Sequence, residues 1–436
     1  MDKVTPKIPA GFMELLPGEQ IEFNRMFDVI RKTYELYGFL PIETPAIEYA
    51  SVLLAKAGGE TEKQIYRFER GDKEYCLHFD LTIPLARYVA AHYPDLTFPF
   101  RRYQQQKVWR AERPQRGRFR EFYQCDIDTI GTTDPLADAE IVSVVNAVFS
   151  ALGFEHFTVH INNRKILNGY MEHLGLSDKS QDILRLIDKL EKQGQETVRA
   201  ELINLKIPND VADQVLEFVG SSGSPAETID SLKSLNIKNE MFRTGIRELE
   251  DLLQGIKLFE VPSTRYTVDL TIARGLDYYT GTVYETTLDD YPEIGSVCSG
   301  GRYDNLANHY TNVSLPGVGA SIGLTRLFDQ LRDAGLLKAS TLTVAKVLVV
   351  PIEPKHLPQG LKIATDFRQL GIPTEIRTAE AKLGAHLKYA NKMRFPFVAF
   401  VGMDESGIDE IILKNMTTTE QQTLSIKQAA DKIMHE

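Results

Sequence analysis

The chain has little cysteine, a single tryptophan, no Gly-Lys dipeptide and no long apolar run in its 436 residues. Its three cysteines, Cys76, Cys125 and Cys298, are widely spaced and form no C-x-x-C pair. That argues against a structural zinc module or a disulfide framework and predicts reduced thiols. Without Gly-Lys there is no P-loop, so a bound nucleotide must be held by other cations. Without some 18 consecutive apolar residues there is no candidate membrane-spanning helix. The opening Met-Asp-Lys-Val-Thr-Pro-Lys lacks the apolar core of a secretory signal and the arginines of a transit peptide, so a cytoplasmic location is expected. His156 and His160 flank a strand-like Phe-Thr-Val, which makes a metal pair there improbable.

A basic balance is also lacking: the formal net charge is -10, the wrong sign for a polyanion binder. The average hides a concentration. Arg101, Arg102, Lys107, Arg110, Arg113, Arg116, Arg118 and Arg120 stand against a single acid, Glu112. Val108, Trp109, Phe119 and Phe122 interleave with them, which predicts strands with one buried face and one cationic face suited to a polyanion.

Length predicts two or three domains. Residues 19–37 carry a helical stripe of Ile21, Phe27, Ile30, Tyr34 and Tyr37, and 41–47, with prolines, reads as an edge segment. A strand at 75–79 and a helix at 82–91 follow, then a hairpin of roughly 101–111 and 119–130, a helix at 135–152 and a strand at 158–161. From about 165 to 256 only helical periodicity remains, with helices expected at 181–191, 210–219, 228–235 and 243–253. Alternation resumes at 266–272 and 282–287, read as two antiparallel strands, and 317–331 reads as strand into helix. Beyond a polar stretch at 338–343, strands and helices alternate, which predicts a small α/β domain with a mostly parallel sheet. Its helix at 382–394 carries Lys382, Lys388, Lys392 and Arg394 without an acid, over a buried stripe of Leu383, Leu387 and Ala390. The expected organisation is an α+β domain on an antiparallel sheet (1–165 and 257–336), a helical insertion (166–256) and a terminal α/β domain (345–436).

Four segments could carry chemistry. Gly319-Ala-Ser-Ile-Gly323 matches the G-x-S-x-G elbow of serine hydrolases, but the sheet before it reads antiparallel, and glycines for close helix–strand packing are the simpler account. The hairpin places Arg110, Glu112, Arg118 and Phe122 around one turn, where Phe122 can stack on a base while Arg110 takes a phosphate. Beyond it, Gln124, Asp126 and Asp128 alternate onto one face, a carboxylate–amide set suited to an ammonium or an imidazole. Arg274-Gly-Leu-Asp-Tyr-Tyr-Thr-Gly281 sets a fixed guanidinium fork beside Tyr278 and Tyr279. An exposed turn with surface aromatics would give the same letters.

The combination resembles the histidyl-tRNA synthetases, within class II aminoacyl-tRNA synthetases, over nearly the full length. Residues 22–45 resemble the class's first motif, with Pro45 as its dimer-interface proline, 108–122 the second and 317–326 the third. Arg274–Gly281 and Ser299-Gly-Gly-Arg-Tyr-Asp304 resemble the two histidine-specific segments. The resemblance implies ATP as substrate with Mg2+ on its phosphates, L-histidine and tRNA-His as partners, and a homodimer. It implies catalytic roles for Arg110 and Arg274, and an ATP site of Arg110, Glu112, Arg118, Phe122, Arg274 and Arg326. It implies histidine contacts from Asp80, Leu81, Thr82, Gln124, Asp128, Tyr278, Tyr279 and Tyr303, and tRNA contacts from Gln115, Arg116, Lys388 and Lys392. The terminal domain resembles an anticodon-binding domain. Two positions depart from the pattern: His78 stands where an arginine is usual and Thr325 where a glutamate is usual, which puts the support of Asp80 and Arg326 in question. The same fold also serves catalytically inactive regulatory subunits of histidine biosynthesis, but those typically lack the terminal domain and carry degraded Arg-Gly-Leu-Asp-Tyr-Tyr segments.

Overall fold

The computed structural model describes residues 3–55, 60–113, 117–220, 223–272, 279–337, 342–379, 381–402 and 410–435. These form two compact units, Met1–Met13 with Met26–Asp333, and Glu14–Arg25 with Ala334–Glu436.

The first unit is built on a mixed, largely antiparallel eight-stranded sheet. In chain order its first strands are β1 (Leu40–Pro41), then β2 (Ile47–Tyr49), β3 (Arg67–Arg70) and β4 (Lys73–Leu77) of a separate small sheet. The long hairpin follows as β5 (Phe100–Trp109) and β6 (Glu121–Ile130), then β7 (Phe157–Asn163), β8 (Tyr266–Val268), β9 (Thr282–Leu288), β10 (Cys298–Tyr303) and β11 (Gly317–Gly323). The large sheet runs β1-β5-β6-β11-β10-β9-β7-β8, so β6, β11 and β10 lie at its centre. Pro41, unable to donate to a ladder, sits on the edge strand β1, parallel to β5.

The runs expected as an antiparallel pair at 266–272 and 282–287 are not neighbours. Strand β7 lies between them, parallel to β8 and antiparallel to β9. Alternation fixes which face a strand buries; it says nothing of which strand lies alongside.

Helices cover the sheet. Pro17–Leu36 buries Met26, Ile30, Thr33 and Tyr34, a face rotated slightly from the expected one, and the Tyr34 hydroxyl donates to the Cys125 carbonyl at 2.9 Å. Pro135–Ala151 starts at Asp134, whose side chain accepts from the Leu136 N–H. Among the described residues the stretch 164–258 is helical between turns, and it holds two helices absent from the sequence reading, Arg164–His173 and Gln195–Asn204. The latter buries only Val198 and Leu202, too weak a stripe to show as periodicity.

The second unit's sheet contains β12 (Val347–Pro351), β13 (Thr374–Ile376), β14 (Phe397–Val401), β15 (Glu410–Asn415) and β16 (Gln421–Ser425) in the order β13-β12-β14-β15-β16. It is not mostly parallel: β12 pairs parallel with β13 and β14, but β14–β15 and β15–β16 are antiparallel. Its last strand, Gln-Gln-Thr-Leu-Ser, has no alternating apolar signal because it lies at the edge. Helix Leu383–Met393 buries His386 along with Ala390 and leaves Lys388 and Lys392 exposed.

Candidate functional site

Backbone register builds the centre of the site. Opposite β6, Gln124, Asp126 and Asp128 face Gln106, Gln104 and Arg102 of β5; on the other side they face Gly323, Ser321 and Gly319 of β11. Alternate residues share a face, so the three side chains enter one cavity of about 430 Å3. Its wall also includes Asp80, Thr82, Arg110, Glu112, Arg118, Phe122, Tyr279, Tyr303 and Arg326, all expected on sequence grounds. Leu81, also expected at the site, has a fully buried side chain, and the wall does not include it. Arg274, Tyr278, Gln115 and Arg116 lie outside the described residues.

Among the described residues, much of the cationic run is paired or buried rather than open to a polyanion. Arg101 pairs with Glu140 at 2.8 Å, Lys107 with Glu121 at 2.7 Å and Arg118 with Glu112 at 3.4 Å. Arg102 is fully buried and meets Asp128 Oδ2 at 2.6 Å. Arg110 reaches the cavity from the end of the hairpin: its Nε donates to the Phe79 carbonyl at 3.0 Å, and its guanidinium lies 5.2 Å from the Phe122 ring centre. Arg326 donates to the Ile294 carbonyl at 2.9 Å.

Asp128 is held from two sides, by Arg102 and by the Tyr303 hydroxyl, which donates to Oδ1 at 2.6 Å. The glycines of β10 and β11 make this seat possible. A methyl at Gly319 would stand 2.2 Å from Asp128 Oδ1, one at Gly317 2.5 Å from the Tyr303 ring, and one at Gly301 2.9 Å from the Tyr279 ring. The expectation that glycines near 319 serve helix–strand packing is therefore corrected: they make room for side chains of the cavity. Within the Ser299–Asp304 segment, Arg302 is structural. It donates through Nε to both oxygens of Asp138, at 3.1 and 3.0 Å, and through Nη1 to the Thr132 carbonyl.

The two departures from the family pattern have partners of their own. His78 is fully buried, bonds through Nε2 to the Lys107 carbonyl at 2.7 Å and packs on Trp109; burial pushes its pKa down, favouring the neutral ring. Thr325 accepts from the Tyr123 N–H at 2.8 Å and so ties its helix to β6. Ser321 is no hydrolase nucleophile: its hydroxyl accepts from Gln124 Nε2 at 2.7 Å, and no histidine lines the cavity among the described residues.

Sequence reasoning missed Arg102 as a site residue and, having placed Asp126 on the same face as Gln124 and Asp128, did not count it among the histidine contacts. The signal for both was the alternation along β5 and β6, which sets Arg102 and Asp126 on the same face as Gln124 and Asp128. Burial pushes the three carboxyls up, Asp80 to about 6, Asp126 to about 7 and Asp128 to about 6, with Arg102 opposing the rise in each. Asp80 Oδ1 accepts from the Ile83 N–H at 3.2 Å, while Asp80 Oδ2, Gln124 Oε1 and Asp126 Oδ1 are buried acceptors without a partner among the described residues. Such groups are costly unless a ligand's donors meet them. Because the folded carboxyls hold protons that unfolded ones lose near pH 4, their stabilising effect is present at low pH and lost as pH rises through 6 to 7. The ligand-free protein should therefore melt at a lower temperature at pH 8 than at pH 6.5. A melting temperature that is flat or rises over that interval would mean that the trio ionises at ordinary values.

The chain matches a family model for histidyl-tRNA synthetase over residues 11–327 and one for an anticodon-binding domain over residues 346–436. It is 52% identical to a histidine–tRNA ligase of Clostridium tetani over 98% of both chains, and 48% identical to that of Stenotrophomonas maltophilia over 96% of this chain and 95% of the relative. A crystal structure of histidyl-tRNA synthetase from Nostoc sp. PCC 7120 superposes with a TM-score of 0.92 at 39% identity, covering 99% of this chain and 100% of that one. A Bacillus halodurans structure described as an ATP phosphoribosyltransferase regulatory subunit/histidyl-tRNA synthetase shares the fold, with a TM-score of 0.76 at 21% identity, covering 92% of this chain and 99% of that one. Sheet, cavity and matches together define an aminoacyl-tRNA ligase. Within that class, the chain belongs to the histidyl-tRNA synthetase family.

Proposed function

We infer that this protein is a histidine–tRNA ligase. It joins L-histidine to ATP, forming histidyl-adenylate and releasing pyrophosphate, and then transfers the histidyl group to tRNA-His with loss of AMP. The observation that carries the reading is the polarity of the cavity along β6. Phe122 and Asp128 stand about 20 Å apart at a strand's rise of roughly 3.3 Å per residue. At the first end lie Arg110 and Phe122, suited to a phosphate and a purine; at the other lie buried carboxylates suited to an ammonium and an imidazole. The reaction joins a molecule of each kind.

The first step is attack by the histidine carboxylate on the α-phosphorus, which needs alignment and charge stabilisation rather than covalent help. Arg110 and Arg274 take the α-phosphate, Phe122 stacks on adenine, and Glu112, Arg118 and Arg326 place the rest of ATP. Asp80, Thr82 and Gln124 receive the ammonium, and Asp128, Tyr278, Tyr279 and Tyr303 surround the imidazole. Mg2+ bound with ATP would supply charge neutralisation at its phosphates. Glu112 and Glu285 are wall carboxylates outside the Asp80–Asp126–Asp128 group, and hard oxygen donors of this kind fit the ion.

The terminal unit reads tRNA, with Lys388 and Lys392 on its exposed basic helix and Gln115 and Arg116 of the hairpin turn as further contacts. The domain limits are 1–165 with 257–336 for catalysis, 166–256 for the helical insertion and 345–436 for anticodon binding. A homodimer is supported by the open edge at β1, where Leu40 is exposed, together with the exposed apolar side chains of Leu36 at the end of the preceding helix and of Ile47 and Tyr49 on β2. Three free, buried cysteines agree with a cytoplasmic setting.

Histidine-dependent exchange of pyrophosphate into ATP tests the reading, and a chain with no exchange would be a regulatory relative. Ending the chain near Ser340 should keep measurable exchange and abolish most tRNA charging. Equal loss of both in a folded dimer would remove the division of labour.

A further inference from the structure

One acid of the cavity has no role in the reading above. Asp126 is only 2% exposed, lines the cavity and stands between Gln124 and Asp128 on the same face of β6. Ser321 lies directly across from it on β11, and the Ser321 Oγ accepts from Gln124 Nε2 at 2.7 Å. That bond engages Nε2 and leaves Gln124 Oε1 as an acceptor.

The result is a set of three buried acceptors without partners among the described residues, Gln124 Oε1, Asp126 Oδ1 and Asp80 Oδ2, on one cavity wall. An ammonium brings three donors and a positive charge, and charge-assisted hydrogen bonds to such a group are the strong kind.

We propose that Asp126 is an amino-acid-binding residue: its buried Oδ1 accepts from the substrate's α-ammonium, beside Asp80 Oδ2 and Gln124 Oε1. The assignment rests on the histidine–tRNA ligase reading of the same cavity.

The test uses calorimetric binding of histidine and of imidazolepropionate, which keeps ring and carboxylate but lacks the ammonium, to the full chain and to Asp126→Asn. Asparagine keeps the shape and removes a buried charge, so the variant should fold at least as stably as the parent. Histidine affinity should fall about tenfold or more, while imidazolepropionate affinity stays within about twofold. Ser321→Ala, which leaves Asp126 in place, should weaken histidine in the same selective way because the amide is no longer oriented. Histidine affinity within twofold of the parent in Asp126→Asn overturns the assignment. So does an equal loss for both ligands, which would make Asp126 a shaper of the whole pocket. A parent chain that binds no histidine fails the ligase reading itself, an outcome distinct from either.

Discussion

Replacing Arg102 by methionine should destabilise the unit that carries the cavity by about 3–5 kcal/mol at pH 8, the scale for removing one partner of a buried ion pair. Methionine keeps most of the aliphatic volume, so the loss is electrostatic. Arg102 has no solvent exposure, meets Asp128 at 2.6 Å, and lowers Asp80 and Asp126 as well as Asp128 against the upward push of burial. Without it Asp126 and Asp128 lose the cation that opposes their burial, and Asp80 keeps only Arg110. Protonation is their remedy, so the destabilisation should shrink as pH falls from 8 toward 5.5. Adding Asp128→Asn to the Arg102→Met chain should recover part of the stability at pH 8, because the stranded charge is then gone. Urea unfolding of the three variants at both pH values measures this. A penalty for Arg102→Met that is independent of pH, or that Asp128→Asn deepens, would show that the arginine acts by packing instead.

Why Arg102 escaped notice while Asp128 did not is a matter of range. Asp128 belongs to a short alternating stretch, Gln124-Cys-Asp-Ile-Asp128, whose faces can be counted directly. Arg102 belongs to a run of cations whose solvent side cannot be assigned until the register of β5 against β6 is known, and register is a property of the pair. The same limit explains β8 and β9, which alternate plainly yet have β7 between them. It explains the terminal sheet too, where strand–helix alternation suggested parallel pairing but β14, β15 and β16 turn back on one another. Helix Thr82–Ala91 and the hairpin were legible because proline, glycine and local periodicity mark their limits. The glycines at 301, 317 and 319 were visible as letters, but what they make room for, the side chains of Tyr279, Tyr303 and Asp128, comes from elsewhere in the chain.

At the nucleotide end the corresponding change is Arg110→Ala, which should slow histidine-dependent pyrophosphate exchange by 10²–10³-fold, or about 2.7–4 kcal/mol in the barrier, the scale for losing one positioned charge-stabilising donor. The backbone places this residue firmly. Its N–H donates to the Arg120 carbonyl at 2.9 Å across the base of the hairpin, and its Nε is committed to the Phe79 carbonyl at 3.0 Å. Both restraints orient the guanidinium plane beside Phe122, where an adenine stacked on that ring would bring its phosphates within reach. Such preorganisation stabilises the charge that builds at the α-phosphorus without reorganising at the moment of reaction, so the effect should fall on the exchange rate at saturating substrates. The histidine affinity, set at the Asp128 end of β6, should stay within about twofold. Arg110→Lys keeps the charge but not the fork or the Phe79 bond, and should recover only part of the rate. Exchange within about threefold of the parent in Arg110→Ala would remove the residue from the activation step, and a loss of histidine affinity as large as the loss of rate would move it to the amino-acid end.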